Sequence, residues 1–600
     1  MRPTSRTTGR RWRIAKYGTA AVAVLTLGVV SACSSSPASS SSSSPSTSTS
    51  ATPATSAPSG TTSFPRSETL YTSGTAYSAP SNWNPLDTGN YSTGTQGLIY
   101  EPLFLYNPLS TSSNPYIPWL ATAGSWNSAN TVYTITVRSG VSWSNGTPLT
   151  GADVAYSINL ARTNSTDPYS ANVATVANAV ASGNTVTVTF KGTPGYTEWQ
   201  DYLWRAPVLP EAIWSKLPAS QIATAANLNP VGTGPMTLDT YNAQEVAYQT
   251  KPDWWATSAL GLSFKFKYLV DVVNGSNDQE LGQLTAGNID WSNNFLPGIN
   301  QLRQAVGGNS GYTLKTYYPT SPYMLSGNTV WLEPNDSKAP MNNVNFRKAL
   351  AYALDPKVIA ATVYGGITQA ANPTGLLPNL SSYVDQSVVS ADAPTYNPTL
   401  AKQYLAKSGY NGQAITLQVP DGWSDWMDAT TVIKSELNAI GINISLIYPQ
   451  SNARTANVTD GNFDLQLDNN AGPDSTPWTY YQRVYQLPIN KQQTSELNWE
   501  RFSSPSDWAL VQKAATIPLS DTSALDSIYG QLETDFFAQE PVIPLWYNGA
   551  WFQGNTEYWS NFPSSSGSDQ NMPIMWNGYI GAMTTVYALA ALTPTPASSS

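Results

Sequence analysis

The stretch 468–481 reads DNNAGPDSTPWTYY and gathers two carboxylates, two amides and three aromatic rings. Two chemistries fit it. Asp468 and Asp474 would pair with a cationic ligand group. Asn469, Asn470, Trp478 and Tyr481 would instead hold a neutral ligand, by amide hydrogen bonds and an aromatic face. The rest of the chain narrows the choice. It has no histidine, which removes the usual general base, the Ser-His-Asp triad and the commonest metal ligand. It has one cysteine, Cys33, so neither an intrachain disulfide nor a cysteine-rich metal site can form. No carboxylate pair sits in a recognisable glycosidase motif. The expectation is a non-enzyme with no cofactor and no metal.

Charged residues make up 11% of the chain, against about 25% in typical globular proteins. Tryptophans number 21 and tyrosines 34, so Ser, Thr, Asn and Gln carry most polar work. Such a surface suits an extracellular protein that meets neutral ligands. The pI near 4.7 argues against a nucleic-acid binder.

The N-terminus reads as an address. Arg2, Arg6, Arg10, Arg11, Arg13 and Lys16 precede the apolar run GTAAVAVLTLGVVSA at 18–32, which is short for a bilayer span and fits a signal peptide. The run ends in VSAC, which resembles a bacterial lipobox, with Cys33 as the lipidated residue. Arg10-Arg11 leaves both the general secretory and the twin-arginine route open. Residues 33–65, nearly all Ser, Thr, Pro and Ala, read as a disordered tether. A lipid-anchored protein on the extracytoplasmic face of the membrane is expected, monomeric because its strong negative charge discourages self-association. The tail at 593–600 reads as a second disordered end.

The body mixes helix and strand. TVYTITVR (131–138) and NTVTVTF (184–190) alternate as strands. Thr150 and Asp153 are spaced as a capping box for a helix to Arg162. Asn397, Pro398 and Gly409 bracket a second helix, and a third over 425–440 stops at Gly441 before the strand-like INISLIY. The fold class is α/β with two or three lobes.

Ordered elements then resemble one family. YEPLFLYNP (100–108), YIPWLATAGSWNSANTVYTITVRSGVSWSNGTPLTGADVAYSI (116–158), NPVGTGPM (229–236), KPDWW (251–255), VNFRKALAYALDPKVIAATVYGG (344–366), YNPTLAKQYLAKSGY (396–410) and EPVIPLWYN (540–548) resemble the signature segments of extracellular solute-binding protein family 5. The resemblance implies a two-lobed periplasmic-binding-protein-like fold with an extra subdomain on the N-terminal lobe and a ligand cleft between the lobes. It places lobe I at 66–98, 210–320 and 546–592, the extra subdomain at 99–209 and lobe II at 321–545. The two hinge crossings fall near 318–328 and 541–548. It further implies capture of a small molecule by hinge closure and delivery to ABC transporter permease subunits.

Within the family the ligand is a peptide, a nickel chelate or an oligosaccharide. Peptide binders commonly keep an ammonium-pairing aspartate where this chain has DNNAGPDSTPWTYY, and neither Asp468 nor Asp474 keeps that pattern. SNWNPLDTGNYSTGTQGLIYEPLFLYNP (81–108) and DGWSDWMDATTVIKSELNAIGI (421–442) resemble the oligosaccharide-binding branch. The leading expectation is therefore an oligosaccharide, β-gluco-oligosaccharides among the candidates, with an oligopeptide as the alternative. Trp83, Trp423, Trp426, Trp478, Tyr481 and Trp546 are the candidate platforms. Asn84, Asp425, Asn469 and Asn470 are the candidate hydroxyl partners. Trp119, Trp126, Trp143, Trp254 and Trp255 are assigned to the core.

Overall fold

The computed structural model describes residues 64–596 apart from 77, 113, 307–311, 470–471, 494–496 and 567–569. The segment expected to be a signal peptide, Cys33, most of the expected tether and Asn470 lie outside the described residues. Three sheets organise the body. Thr69–Ser73 lies inside a seven-stranded sheet, parallel to Tyr268–Val272 and to Trp291–Ser292. Glu245–Thr250 and Met236–Tyr241 extend one side of it, and Gln553–Asn555 and Leu314–Lys315 the other. A five-stranded sheet runs in the order Ile444–Ile447, Ile415–Gln418, Leu465–Asn469, Leu325–Pro334, Ile543–Ala550. Its first two strands are parallel and are joined by the helix Ser424–Ile440, as a parallel crossover requires. An antiparallel sheet of Ala121–Trp126, Val132–Val137, Thr185–Phe190 and Val176–Ser182 forms the smaller unit. This is the expected α/β, two-lobed architecture.

Local chemistry accounts for these elements. In Val132–Val137 the alternation buries Tyr133, Ile135 and Val137 on one face. The helix Gly151–Thr163 starts at a complete capping box. The Thr150 hydroxyl accepts from the Ala152 amide at 3.2 Å, and Asp153 accepts from the Thr150 amide at 2.9 Å. Asn397 caps Pro398–Lys407 by accepting from the Leu400 amide at 3.0 Å. Ser424–Ile440 stops at Gly441, whose φ of 103° suits glycine. Gly232 and Gly234 of NPVGTGPM pass close to the backbone of Leu98 and Ile99. A Cβ on Gly232 would lie 1.9 Å from the Ile99 carbonyl oxygen, so the requirement is close passage of two backbones.

The tryptophans assigned to the core are buried there, save Trp126, which is half-buried against Tyr133 and Phe190. Three of them converge on one carboxylate. The indole N–H groups of Trp119, Trp254 and Trp255 donate to Glu101 at 3.1, 3.3 and 2.9 Å. Burial holds that carboxyl above its ordinary range, and the indole bonds only partly offset it.

Three boundaries differ from expectation. The chain passes between the two large sheets at 316–324 and returns only at Trp551–Phe552. Ile543–Ala550 pairs with Leu325–Pro334 along its length, so EPVIPLWYN is sheet rather than hinge, and Trp546 belongs to the second lobe. The tail is ordered where Thr593–Pro594 pairs with Trp559–Ser560. The body also begins before residue 66, because Phe64 packs on Tyr268 with ring centroids 4.8 Å apart.

Candidate ligand-binding cleft

A cavity of about 490 Å³ lies between the two large sheets. The start of the helix Ser424–Ile440 supplies Trp423 and Trp426, whose rings meet edge to face at 4.8 Å. The returning crossing supplies Trp551, which stacks on Tyr364 and meets the edge of Phe295. From the other lobe comes Trp576. Its indole N–H donates to the Asn293 carbonyl at 3.2 Å, and Tyr579 packs against its ring. An indole fixed by its polar edge presents a rigid apolar face.

Six of the described asparagines line the same space: Asn277, Asn294, Asn328, Asn469, Asn548 and Asn577. Asn277 donates across the cleft to the Ser424 hydroxyl at 2.9 Å and accepts from Asn294 at 2.6 Å. Asn328 and Asn548 are register partners on neighbouring strands, so their side chains sit side by side. Asn577 donates to the carbonyls of Tyr91 and Ser92, at 3.3 and 3.0 Å, which fixes its amide orientation. Among the described residues, no donor meets the buried Oδ1 of Asn328, Asn548 or Asn577. A buried acceptor left in this state costs about 1–3 kcal/mol, which a ligand O–H or N–H would recover.

Two charged residues line the cavity, and each already has a protein partner. Asp425 accepts from the Tyr364 hydroxyl at 2.9 Å, and burial pushes its carboxyl up to about 6. Arg483 donates to Asp468 at 2.9 Å, and Arg454 meets the same carboxylate at 3.3 Å. Beyond these pairs the described residues present aromatic surface, neutral amides and the side chains of Thr75 and Thr93.

Of the candidate residues, Trp423, Asp425, Trp426 and Asn469 line this cavity. The others do not. Trp83 is fully buried and donates to the Tyr248 hydroxyl at 2.7 Å. Asn84 ties down the carbonyls of Ile222 and Ala225 at 2.8 and 3.0 Å. The WNPL element thus anchors a loop instead of touching ligand. Trp478 donates to the Val511 carbonyl at 3.1 Å, and Tyr481 stacks on Tyr485 and Tyr529, both inside the helical core of the second lobe. Trp546 is fully buried against Tyr364. Asp474 lines no part of this cavity and is ion-paired with Arg205. The reading missed Trp551, Trp576, Asn328, Asn548 and Asn577. Asn548 was within reach, since it follows Trp546 by two on a strand and so shares its face.

Among the described residues, no group of three or more acidic or cysteine side chains could hold a metal ion, and no helix is long and apolar enough to cross a membrane. Residues 115–491 match the family model described as bacterial extracellular solute-binding proteins, family 5. The chain belongs to that family. Family 5 solute-binding proteins are binding components and not enzymes. The chain is similar to a mannohexaose-bound periplasmic oligopeptide-binding protein of an oligopeptide ABC transporter from Thermotoga maritima. Identity is 32%, coverage is 89% of this chain and 100% of that one, and the TM-score is 0.82. It is 24% identical over 324 residues to SapA of Escherichia coli K12, a probable ABC transporter periplasmic-binding protein. That match spans about half of each chain, 53% of this one and 54% of SapA. The nickel-binding periplasmic protein of the same organism is 22% identical over 78% of this chain and 88% of its own.

Proposed function

We propose that this family 5 protein captures a neutral oligosaccharide in the cleft between its lobes and delivers it to the permease of an ABC importer. The observation that carries the reading is the pairing of two features in one cavity. Four indoles, Trp423, Trp426, Trp551 and Trp576, offer apolar faces, and the buried oxygens of Asn328, Asn548 and Asn577 await donors. A pyranose has an apolar C–H face and a rim of hydroxyl donors, so one ring satisfies both. Lobe closure is favoured because the rings and amides of both lobes reach the ligand only when the cleft is shut. The likeness to a protein solved with mannohexaose supports the same ligand class. Cys33 would anchor the body to the extracytoplasmic face of the membrane through a lipid, with residues 33–63 as tether and the protein working as a monomer.

The peptide alternative asks for a carboxylate free to pair with an α-ammonium. Asp474 is engaged by Arg205, and Asp425 lies under the Tyr364 hydroxyl. Calorimetric titration with manno- and gluco-oligosaccharides, and separately with short peptides, tests the reading. Micromolar or tighter sugar binding without peptide binding is expected. Peptide binding of that strength, abolished by Asp474→Asn, overturns it.

A further inference from the structure

The space between the lobes holds a second cavity, of about 410 Å³. It takes residues from the first lobe side, such as Gln570, and from the second, such as Gln369, Asn379 and Pro473. The two cavities share one wall. On the strand Leu325–Pro334, Ser326 lines the second cavity and Asn328 the first, with Gly327 between them. Tyr579 lines the first cavity and donates its hydroxyl to the Gly327 carbonyl at 3.3 Å. The phenol oxygen also abuts Gly472, the residue before Pro473. A Cβ on Gly472 would lie 2.1 Å from it, and the φ of 116° there suits glycine. The phenol head therefore stands at the two glycines where one set of lining residues gives way to the other.

We infer that Tyr579 is a specificity-determining partition, which confines a ligand to the first cavity and closes off the second, where further sugar units would otherwise fit. The inference rests on the oligosaccharide reading above. None of the described residues lining the second cavity is charged, and Tyr318, Gln369, Asn379 and Gln570 offer a hydroxyl and amides. It contains no tryptophan, so it supplies hydrogen bonds without the stacking faces of the first. With the Tyr579 ring in place, the ligand is cut off at the length the first cavity holds. Gly327 and Gly472 give the phenol room to close the passage.

The test is calorimetric titration of the full-length protein, Tyr579→Ala, Tyr579→Leu and Tyr579→Phe with linear β-1,4-linked manno- and gluco-oligosaccharides of two to six units. In the wild type, affinity should rise with length and then level off. In Tyr579→Ala and Tyr579→Leu the levelling should move to chains at least one unit longer, with a gain of about fivefold or more on the longest chains. Because Tyr579 also packs on Trp576 in the first cavity, length dependence is read within each protein, as the ratio of affinities for the longest and the shortest binding chains. Tyr579→Phe keeps the ring and should keep the wild-type profile. The leucine variant serves if the alanine variant does not fold. An unchanged length profile in a folded variant that still binds short chains overturns the partition alone. Absence of sugar binding by wild type and variants overturns it together with the reading it rests on.

Discussion

The guanidinium of Arg205, the last residue of the helix Tyr196–Arg205, is ion-paired with the carboxylate of Asp474 in the loop after the strand Leu465–Asn469. The pair joins the smaller unit to the second lobe. Two further bonds converge on the same residue. The Tyr106 hydroxyl and the Asn379 amide donate to the Asp474 carbonyl at 3.1 and 2.8 Å. Arg205 also lies over the Trp204 ring, with 4.1 Å to its centroid. Asp474 thus holds separately folded parts of the chain together.

If that pair favours the closed arrangement, removing either partner should loosen it without touching the ligand. Arg205→Met and Asp474→Asn should each weaken sugar affinity about three- to tenfold, chiefly through faster dissociation. The double variant should lose little more than the worse single one, because both delete one interaction. Small-angle scattering of the ligand-free variants should give a larger radius of gyration than the wild type. Strict additivity of the two losses would remove the latch role.

Two tryptophans should separate binding from stability. Trp576 is half-buried on the cleft wall, and its alanine variant should lose roughly 2 kcal/mol of binding, a factor of about thirty, with little change in Tm. Trp478 sits in the helical core with 4% exposure and a bonded indole N–H. Trp478→Ala should cost about 3–5 kcal/mol of folding stability and leave the affinity of the folded fraction near wild type. Calorimetry and thermal denaturation on both proteins check the contrast. The reverse pattern would place Trp478 at the ligand.

Stability should fall as pH rises from about 4 to about 7. Burial raises Asp271 and Asp290 to about 6 and Glu280 to about 7, although hydroxyls bond to Asp271 and Glu280 and Arg66 pairs with Asp290. Their unfolded counterparts ionise near 4. Across that window the unfolded chain has released protons the native protein keeps, so deprotonation favours unfolding, by about 1.4 kcal/mol for each tenfold difference in proton affinity between the two states. Below 4 and above 7 both states carry these groups alike, and the contribution is flat. A Tm higher at pH 5 than at pH 7.5 is expected, with the gap narrowed in Glu280→Gln. A Tm that climbs over the same interval would contradict the sign.

Local sequence rules carried the fold far. The capping box at Thr150, the Asn397 cap, the Gly441 stop and the alternation in 131–138 each specify an element from a few neighbouring residues, and the elements stand where those rules put them. The cleft was legible at Asn469 and where one helix start carries several of its residues, Trp423, Asp425 and Trp426. Its other members come from distant segments: Asn328 from one strand, Asn548 from another, Trp551 from the crossing after it, Trp576 and Asn577 near the C-terminus. No spacing in sequence joins them, because lobe docking creates the neighbourhood. Trp478 and Tyr481 misled for the converse reason. The aromatic WTYY run reads the same whether its rings face ligand or a helix packed behind, and here the helix Pro505–Ala515 claims Trp478.

The indoles of the cleft are divided between its walls: Trp423 and Trp426 on one, Trp576 on the other, and Trp551 at the chain crossing itself. Indole emission follows the polarity around the ring. Trp423 and Trp576 are the half-buried members of this set, so a ligand seated between the walls would change the surroundings of an indole on each, a built-in optical gauge of occupancy. The side chains that would grip the cargo also announce its arrival, and capture and release can be followed in real time with no label attached.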